Sequence, residues 1–290
     1  EIKMITFLKS LLSKAKREIF WHINYFRLRQ PKLKNAIHEP GVKDAILKEL
    51  KESRIKVIDF YIEKEEFQKY LKEAEYEKYK TYTQSCMVTD FLEKSLEHFL
   101  AAKFLELSKD DVYIDIASAN SPAPEIYNKL YGCKVYRQDM DYPKGLHDHI
   151  IGGDASDMPL EDNFASKLGL HCSFEHFEQD SDINFIIEAG RILKKGGKLC
   201  IIPFYLFYRY AILTDPSVLP LKKFNFEDDA VLYCLKGWGN RHGRFYDAAH
   251  LISRVVANLG SLKLTIYNVV NTSEITENYQ IQYVALFEKT

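Results

Sequence analysis

Residues Val112 to Ile126 read VYIDIASANSPAPEI, and the fold turns on how this stretch is read. Val112–Ile116 is an apolar run of strand length, and the small residues from Ala117 to Ser121 follow it as a turn. Pro122 and Pro124 then stand at the mouth of a helical pattern, PEIYNKLYG, that closes on Gly132. Strand, tight turn and helix make the first half of a βαβ unit. The texture continues downstream. CKVYRQD (133–139) reads as a second strand and SKLGLHCS (166–173) as a fourth. INFIIEAGRILKKGG (183–197) reads as a helix ended by its glycines, and KLCIIPF (198–204) as a buried strand. After an aromatic insert from Tyr205 to Tyr246, DAAHLISRVVANLG (247–260) predicts a helix. LKLTIYNVV (262–270) and YQIQYVALFEK (279–289) predict two more strands. Such alternation implies a parallel sheet covered by helices.

In open parallel sheets, ligands bind beyond the carboxyl ends of the strands, where the strand order reverses, and the first turn forms the floor. Set against D-x-G-x-G-x-G, the turn has Asp115 followed by Ala117, Ala119 and Ser121 at the three glycine positions. A dinucleotide needs those glycines because its pyrophosphate must touch backbone N–H groups at the helix start. S-adenosylmethionine carries no phosphate. It asks for room beside the turn and for polar contacts, which Ala and Ser still allow. The turn therefore disfavours a nicotinamide enzyme more than a methyl donor. Asp139 ends the second strand 24 residues after Asp115, where nucleotide folds place an acid for the ribose hydroxyls, with Asp141 as its rival.

GGDASDMPLEDNFASKLGLHCSFEHF (152–177) and EAGRILKKGGKLCIIPFY (188–205) complete the pattern. Over about residues 88–290 the chain resembles class I S-adenosylmethionine-dependent methyltransferases. The matches, in family order, are Asp115; Asp139; Asp154, Ala155, Met158 and Pro159; Phe174, Glu175 and His176; and Arg191, Leu193, Gly196 and Gly197. The resemblance implies a Rossmann-like, mostly parallel α/β sheet of seven strands with helices on both faces and a C-terminal antiparallel hairpin. It implies S-adenosyl-L-methionine as cofactor. Asp115, Ala117, Ser118, Ala119 and Ser121 would hold its methionine end, Asp139 and Met140 the ribose, and Asp154 with the Ala155 backbone the adenine. His171 would lie beside the sulfonium. The other reading of Asp115 and Asp157 is that they cap turns and helices.

Methyl transfer needs a base only if the acceptor must lose a proton. His171 and His176 flank the end of the fourth strand, and either suits that task, as imidazole titrates near neutrality. His242, or alignment alone, is the remaining explanation. The insert segment LKGWGNRHGRFYDAAH (235–250) gathers Trp238, Arg241, Arg244 and Tyr246, expected here as acceptor-binding residues on an acceptor-side cap spanning 205–246. Arginine forks with aromatic faces suit an anionic sugar or glycan. The alternative is a loop whose arginines pair with Asp228, Asp229 and Asp247.

Residues 1–84 are expected to be a helical extension to a domain at 85–290. From Glu1 to Lys34 there are nine basic side chains against two acidic ones, a net of +7. Ile5, Leu8, Leu12, Ala15, Ile19, Ile23 and Phe26 recur there at helical spacing. That apolar stripe fits either an anionic membrane surface or packing on the protein or a second subunit. IEKEEFQKYLKEAEYEKYK (62–80) predicts a solvated charged helix, and FLEKSLEHFLAAKFLEL (91–107) an amphipathic one.

Composition sets the outer bounds. The 290 residues are 46% hydrophobic, enough for one large α/β domain with an appendage. Forty basic and 41 acidic side chains leave a net of −1, so no nucleic-acid partner is expected. The five dispersed cysteines show no zinc spacing and read as buried thiols of a cytoplasmic protein, peripheral on a membrane's inner face if the basic helix binds lipid. No metal is expected. Taken together, the sequence predicts a methyltransferase acting on a polar acceptor, a small molecule or a saccharide of a glycan, with a homo-oligomer as one use for the N-terminal helix. The rival is an inactive methyltransferase-like binding module, motivated by the missing glycines.

Overall fold

The computed structural model describes residues 2–28, 41–85, 91–220, 224–277 and 280–290, with side chains described from Lys14 onward and not at 84 and 85. Cys86 lies outside the described residues, as do positions 29–40 of the basic N-terminal segment. The chain forms two compact units. The smaller comprises Glu1–Glu49, Glu175–Gln179 and Leu206–His250. The larger comprises Leu50–Phe174, Asp180–Tyr205 and Leu251–Thr290.

The chain opens with helices α1 (Ile2–Arg27) and α2 (Val42–Glu52), strand β1 (Val57–Phe60), and helices α3 (Lys64–Ala74), α4 (Lys80–Ser85) and α5 (Phe91–Leu105). Then come β2 (Val112–Ile116), α6 (Ala123–Tyr131), β3 (Lys134–Asp139), β4 (Gly145–His147), β5 (Ile150–Gly152) and β6 (Ala165–His171). The remainder is α7 (Ser181–Ile192), β7 (Leu193–Ile202), β8 (Ala211–Thr214), β9 (Val231–Cys234), β10 (Gly243–Phe245), β11 (Leu262–Val269) and β12 (Tyr283–Lys289).

The larger unit is built on a nine-stranded sheet of order β1-β11-β12-β7-β6-β2-β3-β5-β4. Strands β5, β3, β2, β6 and β7 run parallel, and β12 is antiparallel to both β7 and β11. This is the expected Rossmann-like α/β arrangement with its C-terminal antiparallel hairpin. The order reverses at β2/β6, because the chain moves outward from β2 through β3 to β5 and then returns to β6 on the other side.

Two edge strands raise the expected seven to nine. β4 folds back on β5, and β1 pairs parallel with β11, with Val57 opposite Ile266 and Phe60 opposite Val269. The stretch 1–84 is therefore not a purely helical extension: the larger unit already begins at Leu50. The charged helix expected over 62–80 is broken at Glu75, whose φ of 52° is left-handed. It is also not wholly solvated, since Phe67, Tyr70, Ala74 and Tyr76 are core residues. Gly196 and Gly197 do not end a helix either. They lie within β7, where the register against β6 jumps from Ala165–Leu193 to Lys167–Lys198, and this bulge takes them up. The helix expected over 247–260 is irregular, with a π turn at Leu251–Val255.

Side chains alternate across the central strands. Tyr113, Cys200 and Ile202 join the cluster formed by Leu96, Leu100, Ile126 and Tyr127 of α5 and α6. Ile114, Ile116, Leu168, Leu170, Leu199 and Ile201 are buried on the other face. Gly169 is required by close approach: a Cβ there would sit 2.4 Å from the Tyr113 hydroxyl.

The smaller unit holds a three-stranded sheet of order β10-β8-β9 together with α1. Asn24 of α1 donates to the carbonyls of Pro216 (2.9 Å) and Leu219 (3.0 Å), and Lys236 lies over the Trp21 ring. Trp21 and Asn24 thus form the buried side of the helix. Of the apolar stripe predicted from the sequence, Ile19, Ile23 and Phe26 face outward at 57, 44 and 82% exposure, while the side chains of Ile5, Leu8 and Leu12 lie outside those described. Among the described residues no helix is long and apolar enough to cross a membrane.

Candidate cofactor site and its surroundings

The turn after β2 keeps the backbone of a glycine-rich turn without the glycines. Ala117 and Ala119 have φ of 51° and 42°, in the left-handed region that L-residues rarely occupy. The end of β3 holds them there. Ala117 N–H donates to Gln138 Oε1 (3.1 Å), Ser118 N–H to Gln138 O (2.8 Å) and Ala119 N–H to Asp139 Oδ2 (2.9 Å). Ser121 N–H turns back to Ser118 O (2.8 Å). Each of these four donors is engaged within the protein, so the turn does not offer them to a phosphate. Gln138 was missed in the sequence. Its signal was a polar residue at an inward position of a buried strand, one place before the acid.

Asp139 also accepts from Asp141 N–H (3.0 Å), which leaves about half of the carboxylate's roughly four acceptor positions for a ligand. Asp141 is exposed and supports Asp139 through its backbone. Asp154 accepts from both the N–H (2.9 Å) and the hydroxyl (2.8 Å) of Ser156 through Oδ1, which shapes the loop at the end of β5. Ala155 is buried, Met140 is 74% exposed, and Asp157 is exposed with its N–H bonded to Asp154 O. Behind this loop, Arg191 donates to the carbonyls of Met158 (3.2 Å) and Leu160 (2.7 Å), and Glu188 accepts from Met158 N–H (2.7 Å). The Met158 and Arg191 motifs are thus one hydrogen-bonded assembly.

A cavity of about 680 Å³ lies against the turn, lined among others by Tyr79, Tyr82, Ala119, Ser121, Arg137 and Tyr142. The wall from Lys78 to Tyr82 comes from the segment read as an extension. Arg137 donates to Ser118 Oγ (3.0 Å) and Ser121 O (2.6 Å) and pairs with Glu125, which ties the turn to the first turn of α6.

Beneath the turn runs a buried polar chain. The Tyr113 hydroxyl donates to Asp115 Oδ1 (2.8 Å) and lies 3.2 Å from His171 Nε2. The His171 ring meets the His98 ring edge to face at 4.8 Å, and His98 Nδ1 is 2.8 Å from the Tyr76 hydroxyl. Burial pushes the Asp115 carboxyl up to about 7 and the His171 imidazole down to about 3. Asp115 Oδ2 is buried with no hydrogen-bond partner among the described residues. His171 was read, as an alternative to His176, as a general base for a hydroxyl acceptor, and the structure places it in this buried polar chain. Its side chain, 7% exposed, is wedged among Tyr113, Asp115, His98 and Tyr127, and its low basicity leaves it a poor proton acceptor at neutral pH. The reason is strand alternation: His171 shares the face of Asp115 and Gly169, which α5 and α6 cover.

The other candidates lie in the smaller unit. His176 Nδ1 donates to His242 O (2.5 Å), and its ring packs 5.6 Å from Trp238. His242 is buried, with Nδ1 3.0 Å from Glu175 O, and burial lowers its pKa to about 4. Arg244 and Tyr246, expected to bind an acceptor, are internal. Arg244 is fully buried and donates to the Tyr210 hydroxyl (3.0 Å), Phe177 O (2.7 Å), Gln179 O (2.8 Å) and Glu227 (2.5 Å). Tyr246 is 1% exposed. Arg241 is exposed and paired with Glu178, while Trp238 covers Gly243. The acids partnering the arginines are Glu178 and Glu227. Of Asp228, Asp229 and Asp247, the partners weighed in the alternative reading of the sequence, Asp229 and Asp247 instead flank His250, at 3.0 and 2.7 Å. Among the described residues no His/Cys/Asp/Glu group could hold a metal.

No family model matches the chain, and no curated protein matches it. Solved structures match in backbone arrangement. A Burkholderia thailandensis 1,6-didemethyltoxoflavin-N1-methyltransferase, with 1,6-didemethyltoxoflavin and S-adenosylhomocysteine bound, is similar at 11% identity, covering 79% of this chain and 91% of that one, with a TM-score of 0.44. A SAM-dependent methyltransferase of Methanosarcina mazei is similar at 13% identity, with 63% and 94% covered and a TM-score of 0.42. A Galdieria sulphuraria protein assigned as a sarcosine dimethylglycine methyltransferase is similar at 18% identity and a TM-score of 0.32, over 37% of this chain; the chain spans 44% of that structure's length.

Proposed function

We propose that the chain is an S-adenosylmethionine-dependent methyltransferase that holds its cofactor at the carboxyl edge of β2, β3 and β5 and acts on a polar small molecule. One observation carries this reading. The turn at Ala117–Ser121 retains the left-handed backbone of a cofactor turn while committing its N–H groups to Gln138, Asp139 and Ser118. That combination suits a cofactor without phosphate. The intact geometry also removes the motive for an inactive module, because the alanines have not collapsed the turn. The saccharide acceptor loses its support, since Arg244 and Tyr246 are internal.

When bound, the cofactor supplies an electrophilic methyl group on sulfonium. Asp139 binds the ribose hydroxyls with its remaining lone pairs, and Asp154 orients the adenine through the loop it shapes. The tyrosine-edged cavity of about 680 Å³ beside Ala119 and Ser121 leaves room for the bound molecule. Transfer relies on alignment of the reactants rather than on a proton acceptor from β6. Calorimetric titration tests the reading. S-adenosylmethionine and S-adenosylhomocysteine should bind and NAD should not, and Asp139→Ala should weaken binding by about 1–3 kcal/mol. Tight NAD binding with no response to either sulfur cofactor would overturn it.

We also infer that α1 rests on an anionic membrane surface. Ala15, Ile19, Ile23 and Phe26 share an exposed face, and Lys14, Lys16, Arg17 and Arg27 are exposed beside it. Each basic side chain near such a surface adds about 1 kcal/mol. Vesicles containing phosphatidylserine should carry the full chain upward on flotation at low salt, and Ile23→Asp with Phe26→Asp should abolish this. A wild-type chain that stays behind, or a concentration-dependent dimer lost in the same variant, would assign the face to protein contacts instead.

A further inference from the structure

Gln138 is 1% exposed and stands one place before the acid that ends β3. Both ends of its amide are committed. Oε1 accepts from Ala117 N–H (3.1 Å) in the turn after β2, and Nε2 donates to Gly153 O (2.6 Å) in the loop after β5. The amide can point only one way, because an N–H donates and a carbonyl accepts. The two segments follow strands on opposite sides of β3, since β2 and β5 each pair with it and not with one another. Backbone bonds reinforce the junction: Ser118 N–H reaches Gln138 O (2.8 Å), and Gly153 N–H reaches Asp139 O (3.2 Å). Asp154, which follows Gly153, then fixes its own loop by accepting from Ser156 N–H (2.9 Å). One side chain thus joins the turn expected to hold the methionine end of the cofactor to the loop that orients its adenine. A carboxylate in its place could accept from Ala117 but not donate to Gly153, and an apolar side chain could do neither.

We propose that Gln138 is a positioning residue that fixes the separation of these two segments, so that cofactor affinity depends on an amide the cofactor does not touch. The inference rests on the methyltransferase reading above. Its physical content is preorganisation: segments joined before binding need not be ordered by the ligand. Ala117 needs the support most, because its φ of 51° is left-handed and a lower-energy backbone is open to it once its N–H loses the acceptor.

Gln138→Leu and Gln138→Glu, made in the full chain, test this. Without cofactor, Gln138→Leu should speed hydrogen exchange at Ala117 and, across β3, at Ser156 and Asp157 by a similar factor; acceleration confined to Ala117 would overturn the coupling. In calorimetry the same variant should bind S-adenosylhomocysteine about tenfold more weakly, the worth of one net hydrogen bond, and unchanged affinity in folded protein would sink the proposal. Gln138→Glu supplies a readout that a merely structural defect would not move. Its carboxylate repels Gly153 O, whereas the protonated acid restores the donor, and burial raises its pKa above that of an ordinary glutamate. Asp115, Asp139 and Asp154 surround the position in both proteins, so the ratio of variant to wild-type affinity isolates the introduced carboxyl. That ratio should recover toward one as pH falls from about 8 to about 5, and a flat ratio would refute the proposal. If neither variant folds, the wild type decides: adenosine, which lacks the methionine end, should still slow exchange at Ala117, and no change there would count against the coupling. A wild type that binds neither S-adenosylmethionine nor S-adenosylhomocysteine would remove the methyltransferase reading itself, whereas the outcomes above remove only the role of Gln138.

Discussion

His171 in the larger unit and His242 in the smaller are both buried, and burial depresses the basicity of both. Their surroundings differ. His171 is packed against the rings of His98 and Tyr127 and does not line the cavity beside the cofactor turn. His242 has one nitrogen fixed by a backbone carbonyl and forms part of a cavity wall. Burial alone therefore does not mark a histidine as structural or functional. What matters is whether the fold supplies a partner and leaves a space. The same contrast holds for the arginines. Arg137 ties the cofactor turn to α6 from a partly buried position, with its side chain 19% exposed, while Arg244 is wholly consumed by internal acceptors.

The contrast can be broken most severely at Arg244. Arg244→Met removes the fork and leaves Glu227 and two carbonyls without their donor, so the variant should lose about 3–5 kcal/mol by guanidinium denaturation. A loss below about 1 kcal/mol would return Arg244 to the pool of ligand-binding candidates.

The buried pair in the larger unit makes a subtler prediction. His171 has a folded pKa of about 3 against an ordinary 6.5, so the unfolded chain takes up its proton first. Its contribution is present above pH 6.5 and is lost as pH falls toward 3. Asp115 has a folded pKa of about 7 against 3.8, so its contribution is complete below pH 3.8 and is lost as pH rises toward 7. Between pH 3.8 and 6.5 the two oppose each other. Relative to the wild type, His171→Gln should lose stability with rising pH by up to about 1.4 kcal/mol per unit, and Asp115→Asn should gain it. Parallel pH profiles for all three proteins would show that these groups do not titrate differently on folding.

The smallest effect concerns strain in the turn. Ala117→Gly and Ala119→Gly relieve a left-handed alanine worth about 1–2 kcal/mol but add the unfolded-state freedom of glycine, about 0.5–1 kcal/mol. Each should stabilise the chain by about 0.5–1 kcal/mol, read as a higher melting temperature. Destabilisation would mean that the alanine methyl groups pack productively and that the turn is not held under strain.

The sequence by itself marked most of the strands and helices of the larger unit from Val112 onward, through local periodicity and glycine or proline punctuation. The C-terminal antiparallel hairpin was implied by the family resemblance, and the order of the strands came from the structure. The sequence also pointed to Asp139 by its spacing from Asp115, and to Asp154 through the family resemblance. Only the tertiary structure decided the rest. β1 is four residues long, and its pairing with β11 joins positions about 209 apart, as the Asn268–Asp59 hydrogen bond shows, so nothing local marks it as part of the sheet. The outward face of α1 depended on Asn24 finding the carbonyls of Pro216 and Leu219. Strand periodicity set the face on which His171 lies, but not that α5, α6 and the Tyr113 hydroxyl reaching over Gly169 would cover it. Arg244 likewise reads as a surface fork until Phe177, Gln179 and Glu227 are brought around it. A residue's chemistry is written in its type, but its availability depends on what distant segments place against it.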